Sequence, residues 1–200
     1  MPVERWFGIV WALWAWSWLL AALWSDRPDT RALVRQEVIY RGLALVGGVL
    51  LFEGLSGAPR SSLLGLILPW RNVVLVPVSR PVAVGLLGCV VAGQAFAWWA
   101  RWHIGRLWAS GVSRKADHHL VDTGPYGLVR HPIYAGIGFA LLATAASEMT
   151  VTALLGASII ILSFYVKASL EEHFLRDQLG AEVYQAYARR VPMLIPFIGP

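Results

Sequence analysis

The chain has 200 residues, of which 57% are hydrophobic and only 14% charged, and its formal net charge is +5. So little charge at this length speaks against an ordinary soluble domain and for one domain of helices packed in lipid. A single cysteine, Cys89, excludes intrachain disulfides and Cys-rich metal sites, and basic residues scattered between apolar runs speak against nucleic-acid binding.

Residues 6–24 carry no charge over 19 positions and include six tryptophans, enough to cross a hydrocarbon core. Trp24-Ser25-Asp26 does not resemble a signal-peptide cleavage site, so this stretch reads as a retained first helix. Its tryptophans read as lipid-facing bulk and interfacial anchors. A second span covers 38–58, interrupted by Arg41 and by Glu53, which has no evident role near the outer interface. The stretch 59–81, punctuated by Pro59, Pro69, Pro77 and Pro81, reads as an outer loop lying partly in the interface. A third span covers 82–100. The apolar run 133–166 is too long for one helix of ordinary tilt, and its polar cluster Ser147-Glu148-Met149-Thr150 marks the turn of a two-helix hairpin.

After the hairpin, Leu170, Phe174, Leu175, Leu179, Val183 and Tyr187 recur at helical spacing. They predict a separate amphipathic helix over 170–191, loosened at Gly180 and stopped by Pro192. The fold class expected is therefore an all-α integral membrane protein with five spans and a cytoplasmic C-terminal helix. Residues 1–100 supply three spans and 101–200 a catalytic core. With an outside N-terminus, 13 of the 17 basic residues fall on the inner side. That makes the loop 101–132 and the C-terminal tail cytoplasmic. The Arg-, Ala- and Trp-rich usage points to a bacterial plasma membrane.

The chemistry-bearing residues cluster where the hairpin begins and ends. Polar and ionisable groups are costly beside lipid and mark function by default. Each alone has an ordinary reading. Proline suits the first turn of a helix, tyrosines anchor at interfaces, and Lys167 with Glu171 is a common helix pair. Their order carries more: His118-His119-Leu120-Val121, Gly124-Pro125-Tyr126, Arg130-His131-Pro132-Ile133-Tyr134, the apolar hairpin, Glu171-Glu172, Gly180, Tyr184 and Tyr187, then Val191-Pro192 and Pro196-Phe197. This set closely resembles the isoprenylcysteine carboxyl methyltransferase family, whose core is shared with phospholipid N-methyltransferases.

The resemblance covers 101–197 and implies S-adenosylmethionine as methyl donor. It implies donor contacts from His118, His119, Leu120, Val121, Tyr126, His131, Pro132, Ile133 and Tyr134, with Glu171 as the acidic residue that holds the donor. One turn before that glutamate the family places an arginine for the substrate carboxylate, and here Lys167 stands instead. The charge is kept and the bidentate fork lost.

The chemistry of the residues agrees. Arg130 or a histidine suits the donor's carboxylate, Glu171 its ammonium, and the faces of Tyr126 and Tyr134 its adenine or sulfonium. Lys167 suits a carboxylate acceptor. Glu172 suits an amine acceptor that must lose a proton. Five histidines without ligand spacing speak against a metal. The acceptor expected is a lipid or a prenylated molecule reaching the site through the bilayer. Phospholipid N-methylation is the alternative. A reductase with a nicotinamide cofactor and a non-enzymatic scaffold rank below it.

Overall fold

The computed structural model describes residues 2–23, 30–31, 34–56, 68, 73–105, 108, 113–114 and 120–198. Six α-helices fall among them: α1 (Val3–Ala22), α2 (Val34–Ser56), α3 (Arg80–Ile104), α4 (Pro132–Glu148), α5 (Val151–Leu179) and α6 (Ala181–Ala188). Strands β1 (Thr30–Arg31) and β2 (Ser113–Arg114) pair antiparallel, Thr30 opposite Arg114. This ladder ties the α1–α2 connection to the α3–α4 connection at one end of the bundle. At the other end Val74 bridges Thr150, and the Leu75 N–H donates to the Met149 carbonyl at 2.8 Å.

The bundle carries its bulk outside. Leu13, Trp16, Leu45, Val84, Phe139 and Leu162 are all exposed, while the places where helices cross are lined by glycine. A Cβ on Gly93 would stand 2.5 Å from the Gly136 carbonyl oxygen, and one on Gly136 equally close to that of Gly93. Gly47 and Gly156 repeat the arrangement between α2 and α5, at 2.7 and 2.6 Å. Large residues outward and small ones at the crossings suit a lipid solvent, where packing rather than burial from water drives helices together. Among the described residues two helices, α3 and α5, are long and apolar enough to cross a membrane.

The hairpin turn lies where the polar cluster placed it. α4 ends at Glu148, Met149 takes a left-handed conformation (φ 46°), and the Thr150 hydroxyl accepts the Ala153 N–H at 3.2 Å as the N-cap of α5. Three expectations need correction. First, no separate tail helix starts at 170: α5 runs unbroken for 29 residues and stops at Gly180 (φ 90°), where the chain turns back into the short α6. Second, the apolar face read as one stripe therefore divides. Leu170 and Phe174 pack on Tyr40 of α2, while Leu175 and Leu179 meet Tyr184 and Tyr187 of α6, and Val183 is exposed.

Third, the tryptophans of α1 do not all face lipid. Trp14 stacks on Trp18 at 4.9 Å, Trp18 meets Trp98 edge-on at 5.3 Å, and the Trp11 indole donates to the Thr144 hydroxyl at 2.9 Å. Trp6 and Trp16 are the outward ones. A buried indole N–H needs an acceptor, and Thr144 and Ser17 supply two. The buried Arg101 closes this corner. Its guanidinium donates to the Ala21 and Gly105 carbonyls at 3.0 and 2.6 Å and lies over the Trp108 ring.

The crossing geometry predicts that Gly136→Ala lowers the thermal midpoint in detergent, by overpacking worth about 1–3 kcal/mol. Gly85→Ala, where a Cβ meets nothing within 4 Å, should be neutral or stabilising by up to about 1 kcal/mol. Equal shifts in the two melting curves would show that the close crossing carries no weight.

Candidate active site

The site forms where α4 begins. Pro132 occupies the first turn, where its missing N–H is no loss, and it keeps His131 out of the helical region. The backbone N–H groups of Arg130 and His131 donate to the carbonyls of Pro192 (2.8 Å) and Met193 (3.1 Å), so the chain after α6 straps the start of the hairpin. Opposite, α5 presents Lys167, Glu171 and Glu172. These are brought level with α4 because the two helices leave a common turn at 149–150 and α5 is the longer.

Adjacent glutamates take different partners. Glu172 accepts from Arg130 Nε at 2.7 Å and lies 3.3 Å from His131 Nε2. Glu171 accepts the Tyr134 hydroxyl at 2.6 Å, with His131 Nδ1 at 3.5 Å and Lys167 Nζ at 3.9 Å. The His131 ring is thus held between two carboxylates and lies parallel to Tyr134 (5.6 Å, 9°), which in turn stacks on Phe164 (5.3 Å, 19°). Burial works against the imidazolium. The hydrogen bonds and charges of Glu171 and Glu172 outweigh it, and the pKa of His131 lies above the ordinary imidazole value.

Arg130 spends its guanidinium on structure. Besides Glu172, it donates from Nη1 to the carbonyls of Ala188 (3.0 Å) and Val191 (2.7 Å) at the end of α6. Arg130 or a histidine was expected to meet a bound carboxylate, and in the structure Arg130 also closes the C-terminal strap. A cation suits that place, where α6 leaves its last carbonyls unpaired. Tyr187 adds a second closure, its hydroxyl donating to the Tyr126 carbonyl at 2.7 Å. Burial pushes the phenols of Tyr126, Tyr184 and Tyr187 far above their ordinary pKa, so all three stay neutral.

Of the residues expected at the site, Arg130, His131, Tyr134, Lys167, Glu171 and Glu172 converge in one cluster. Pro132 and Ile133 are buried in the first turn of α4. Tyr126 and Val121 pack with Ile133, and Leu120 packs with the α6 tyrosines. His118 and His119 lie outside the described residues.

Two contributors went unread in the sequence. His103 of α3 lies against the 3-10 turn Gly124–Gly127: its Nε2 is 3.0 Å from the Thr123 hydroxyl, and its ring stacks on Tyr126 at 6.3 Å. A Cβ on Gly124 (φ 57°) would stand 2.8 Å from that ring, so glycine is needed there for conformation and for space. Tyr40 of α2 is the other, its ring 5.6 Å from Lys167 Nζ. Neither carries a local signal: Tyr40 stands in an apolar span, and His103 follows Trp98, Trp99 and Trp102 as one more ring at a helix end.

A pH dependence follows from His131. A group whose pKa is raised on folding stabilises fully below its unfolded pKa, about 6.5 for imidazole. That stabilisation is lost as the pH climbs through the folded value. The melting temperature of the parent should therefore fall over a range starting near pH 6.5, and His131→Asn should lose this dependence. Parallel melting curves for the two proteins across that range would refute it.

Residues 86–177 match the isoprenylcysteine carboxyl methyltransferase (ICMT) family. Protein-S-isoprenylcysteine O-methyltransferase B of Arabidopsis thaliana is 27% identical over 128 residues, 63% of this chain and 56% of that one. A probable protein-S-isoprenylcysteine O-methyltransferase of Oryza sativa subsp. indica is 28% identical over 190 residues, 91% of this chain and 89% of that one. Methanethiol S-methyltransferase of a Pseudomonas strain is 45% identical over 71 residues, 36% of this chain and 26% of that one. The chain thus spans about half the length of the Arabidopsis relative and a quarter of the Pseudomonas one. The matched stretch takes in most of α3, the Arg130-His131-Pro132 start, the whole hairpin and the Lys167–Glu172 end of α5, and over it, a little under half of the chain, the sequence is similar to the ICMT family.

Proposed function

We propose that the chain is an integral membrane methyltransferase using S-adenosylmethionine, most like the isoprenylcysteine carboxyl type, acting on a lipophilic acceptor at the cytoplasmic face. One observation carries the reading. Glu171 meets His131, Tyr134 and Lys167 at a single corner, although these residues come from two separate helices and the loop before them. The groups present suit the donor. Glu171 Oε2 has only the long 3.5 Å contact with His131, which leaves acceptor capacity for an ammonium. The stretch 120–123 offers backbone groups for an adenine edge, and the rings of Tyr126 and Tyr134, stacked on His103, His131 and Phe164, line the corner.

Bound there, S-adenosylmethionine would supply a sulfonium methyl for transfer to the acceptor's lone pair, leaving as the neutral thioether. The chain's residues then have to position and exclude. Glu171 holds the ammonium. Tyr134 fixes the Glu171 carboxylate, and His131 ties it to Glu172. The strap carried by Arg130 and Tyr187 covers the site from the water side. Lys167 faces the acceptor and balances its charge. A carboxylate needs no base at neutral pH, so alignment and water exclusion supply much of the rate. Both mid-chain connections tied by β1 and β2 lie at this end, which supports five spans with the loop 101–132 and the tail on the cytoplasmic side. The residue usage supports a bacterial plasma membrane.

A thiol acceptor is the second reading, favoured by the 45% identity over 71 residues to the methanethiol enzyme. Lys167 would there stabilise a thiolate. The first test is S-adenosylhomocysteine binding to detergent-purified protein by calorimetry. The parent should bind, and Glu171→Ala should weaken binding about tenfold or more, the order of one charge-assisted hydrogen bond. Equal binding by a folded variant would remove Glu171 from the donor site. Absence of binding by a folded parent would end the methyltransferase reading.

A further inference from the structure

The Lys167 ammonium lies over two aromatic rings. Tyr134 of α4 is 5.3 Å from Nζ and Tyr40 of α2 is 5.6 Å from it. Tyr40 belongs to the part of the chain that the family match does not reach. It is only 4% exposed, and Val166, Leu170 and Phe174 pack around it. Its backbone carbonyl accepts the Ser163 hydroxyl at 2.8 Å, which fixes α2 against α5 one turn before Lys167. The neighbouring charges of α2, Glu37 and Arg41, pair with each other at 2.8 Å. Glu171 is 3.9 Å from Nζ, beyond hydrogen-bond range, and is already held by the Tyr134 hydroxyl.

Lysine carries a compact charge on a flexible stem and lacks the planar fork by which arginine grips a carboxylate. Two ring faces with negative π-clouds beside it restrict its direction. We infer that Tyr40 is a positioning residue for Lys167: with Tyr134 it holds the ammonium as a fixed point charge, so that the acceptor subsite takes an anionic head, carboxylate or thiolate, and rejects a protonated amine. This deepens the proposed function and rests on it. The helix that supplies Tyr40 lies outside the matched segment, so the acceptor side of the site is completed by the N-terminal half of the chain.

The test uses the full chain, purified in detergent, as parent, Tyr40→Phe, Tyr40→Leu and Lys167→Gln. Three acceptors are offered with radiolabelled donor: N-acetyl-S-farnesylcysteine for the carboxylate, hexanethiol for the thiolate, and phosphatidylethanolamine vesicles for the amine. S-adenosylhomocysteine affinity, read beside activity, should be the same in the parent and the two Tyr40 variants. Whichever anionic probe the parent methylates, Tyr40→Leu should raise its KM about tenfold with a smaller change in kcat, as loss of a desolvated cation–π contact requires. Tyr40→Phe, which keeps the ring, should stay near the parent. Lys167→Gln should show the same selective rise and serves if Tyr40→Leu does not fold. The inference is overturned if KM is indifferent to Tyr40→Leu, or to Lys167→Gln where that variant stands in. It is equally overturned if Phe and Leu behave alike, or if a parent that binds S-adenosylhomocysteine methylates only the amine. A parent that binds no S-adenosylhomocysteine overturns the methyltransferase reading beneath it.

Discussion

Two glycine-on-glycine crossings set this molecule. At Gly93–Gly136 and Gly47–Gly156 the backbones come close enough that a single Cβ on either side would meet a carbonyl oxygen at 2.5–2.7 Å. In lipid such contacts stand in for the burial from water that holds a soluble core together. They fix α3 to α4 and α2 to α5, while α4 and α5 are joined by their own turn. The mutual placement of four helices, and so of every group at the site, depends on them. Side chains one or two turns beyond each crossing then meet without further adjustment: Ala97 and Ala100 beneath the loop, and Tyr40 beside Lys167.

The electrostatics of the corner follow from that packing. Arg130 and Glu172 form a pair whose side chains are about nine-tenths buried, and such a pair contributes little net stability once desolvation is counted. Its value lies in uniqueness. With Arg130 held by Glu172, Ala188 and Val191, the C-terminal strap has one register on the hairpin, and Glu171 is left as the carboxylate with capacity to spare. Removing either partner would strand a buried charge, which is why the two are coupled.

Much of this was legible in the sequence, for reasons that separate the successes from the failures. The hairpin turn was readable because polar residues in an apolar run have nowhere else to go, and Ser147–Thr150 took that place. The cluster of His131, Tyr134, Lys167, Glu171 and Glu172 was readable because its members sit at helix ends in a recognisable order. The continuation of α5 past Lys167 was not. Charges at a membrane boundary resemble a helix end, yet here apolar residues on two further faces keep the helix running, one set toward α2 and the other toward α6. The use of Arg130 was hidden because its partners are backbone carbonyls, which every residue has. The inward turn of Trp11 was hidden because its acceptor, Thr144, looks unremarkable in a membrane helix.

The unbroken α5 has a mechanical consequence. At 29 residues it is a rod of about 43 Å, pinned at Thr150 on one side of the bundle and carrying Glu171 and Glu172 near the other. A rod of that length turns angle into displacement: a tilt of about 5° about Thr150 moves Glu171, about 31 Å along it, by roughly 3 Å, comparable with the length of a hydrogen bond. Helices answer a thicker or thinner bilayer by tilting. Membrane thickness is thereby coupled to the register of the corner where Glu171 and Glu172 meet His131 and Arg130, and the surrounding lipid acts as a lever on these two carboxylates.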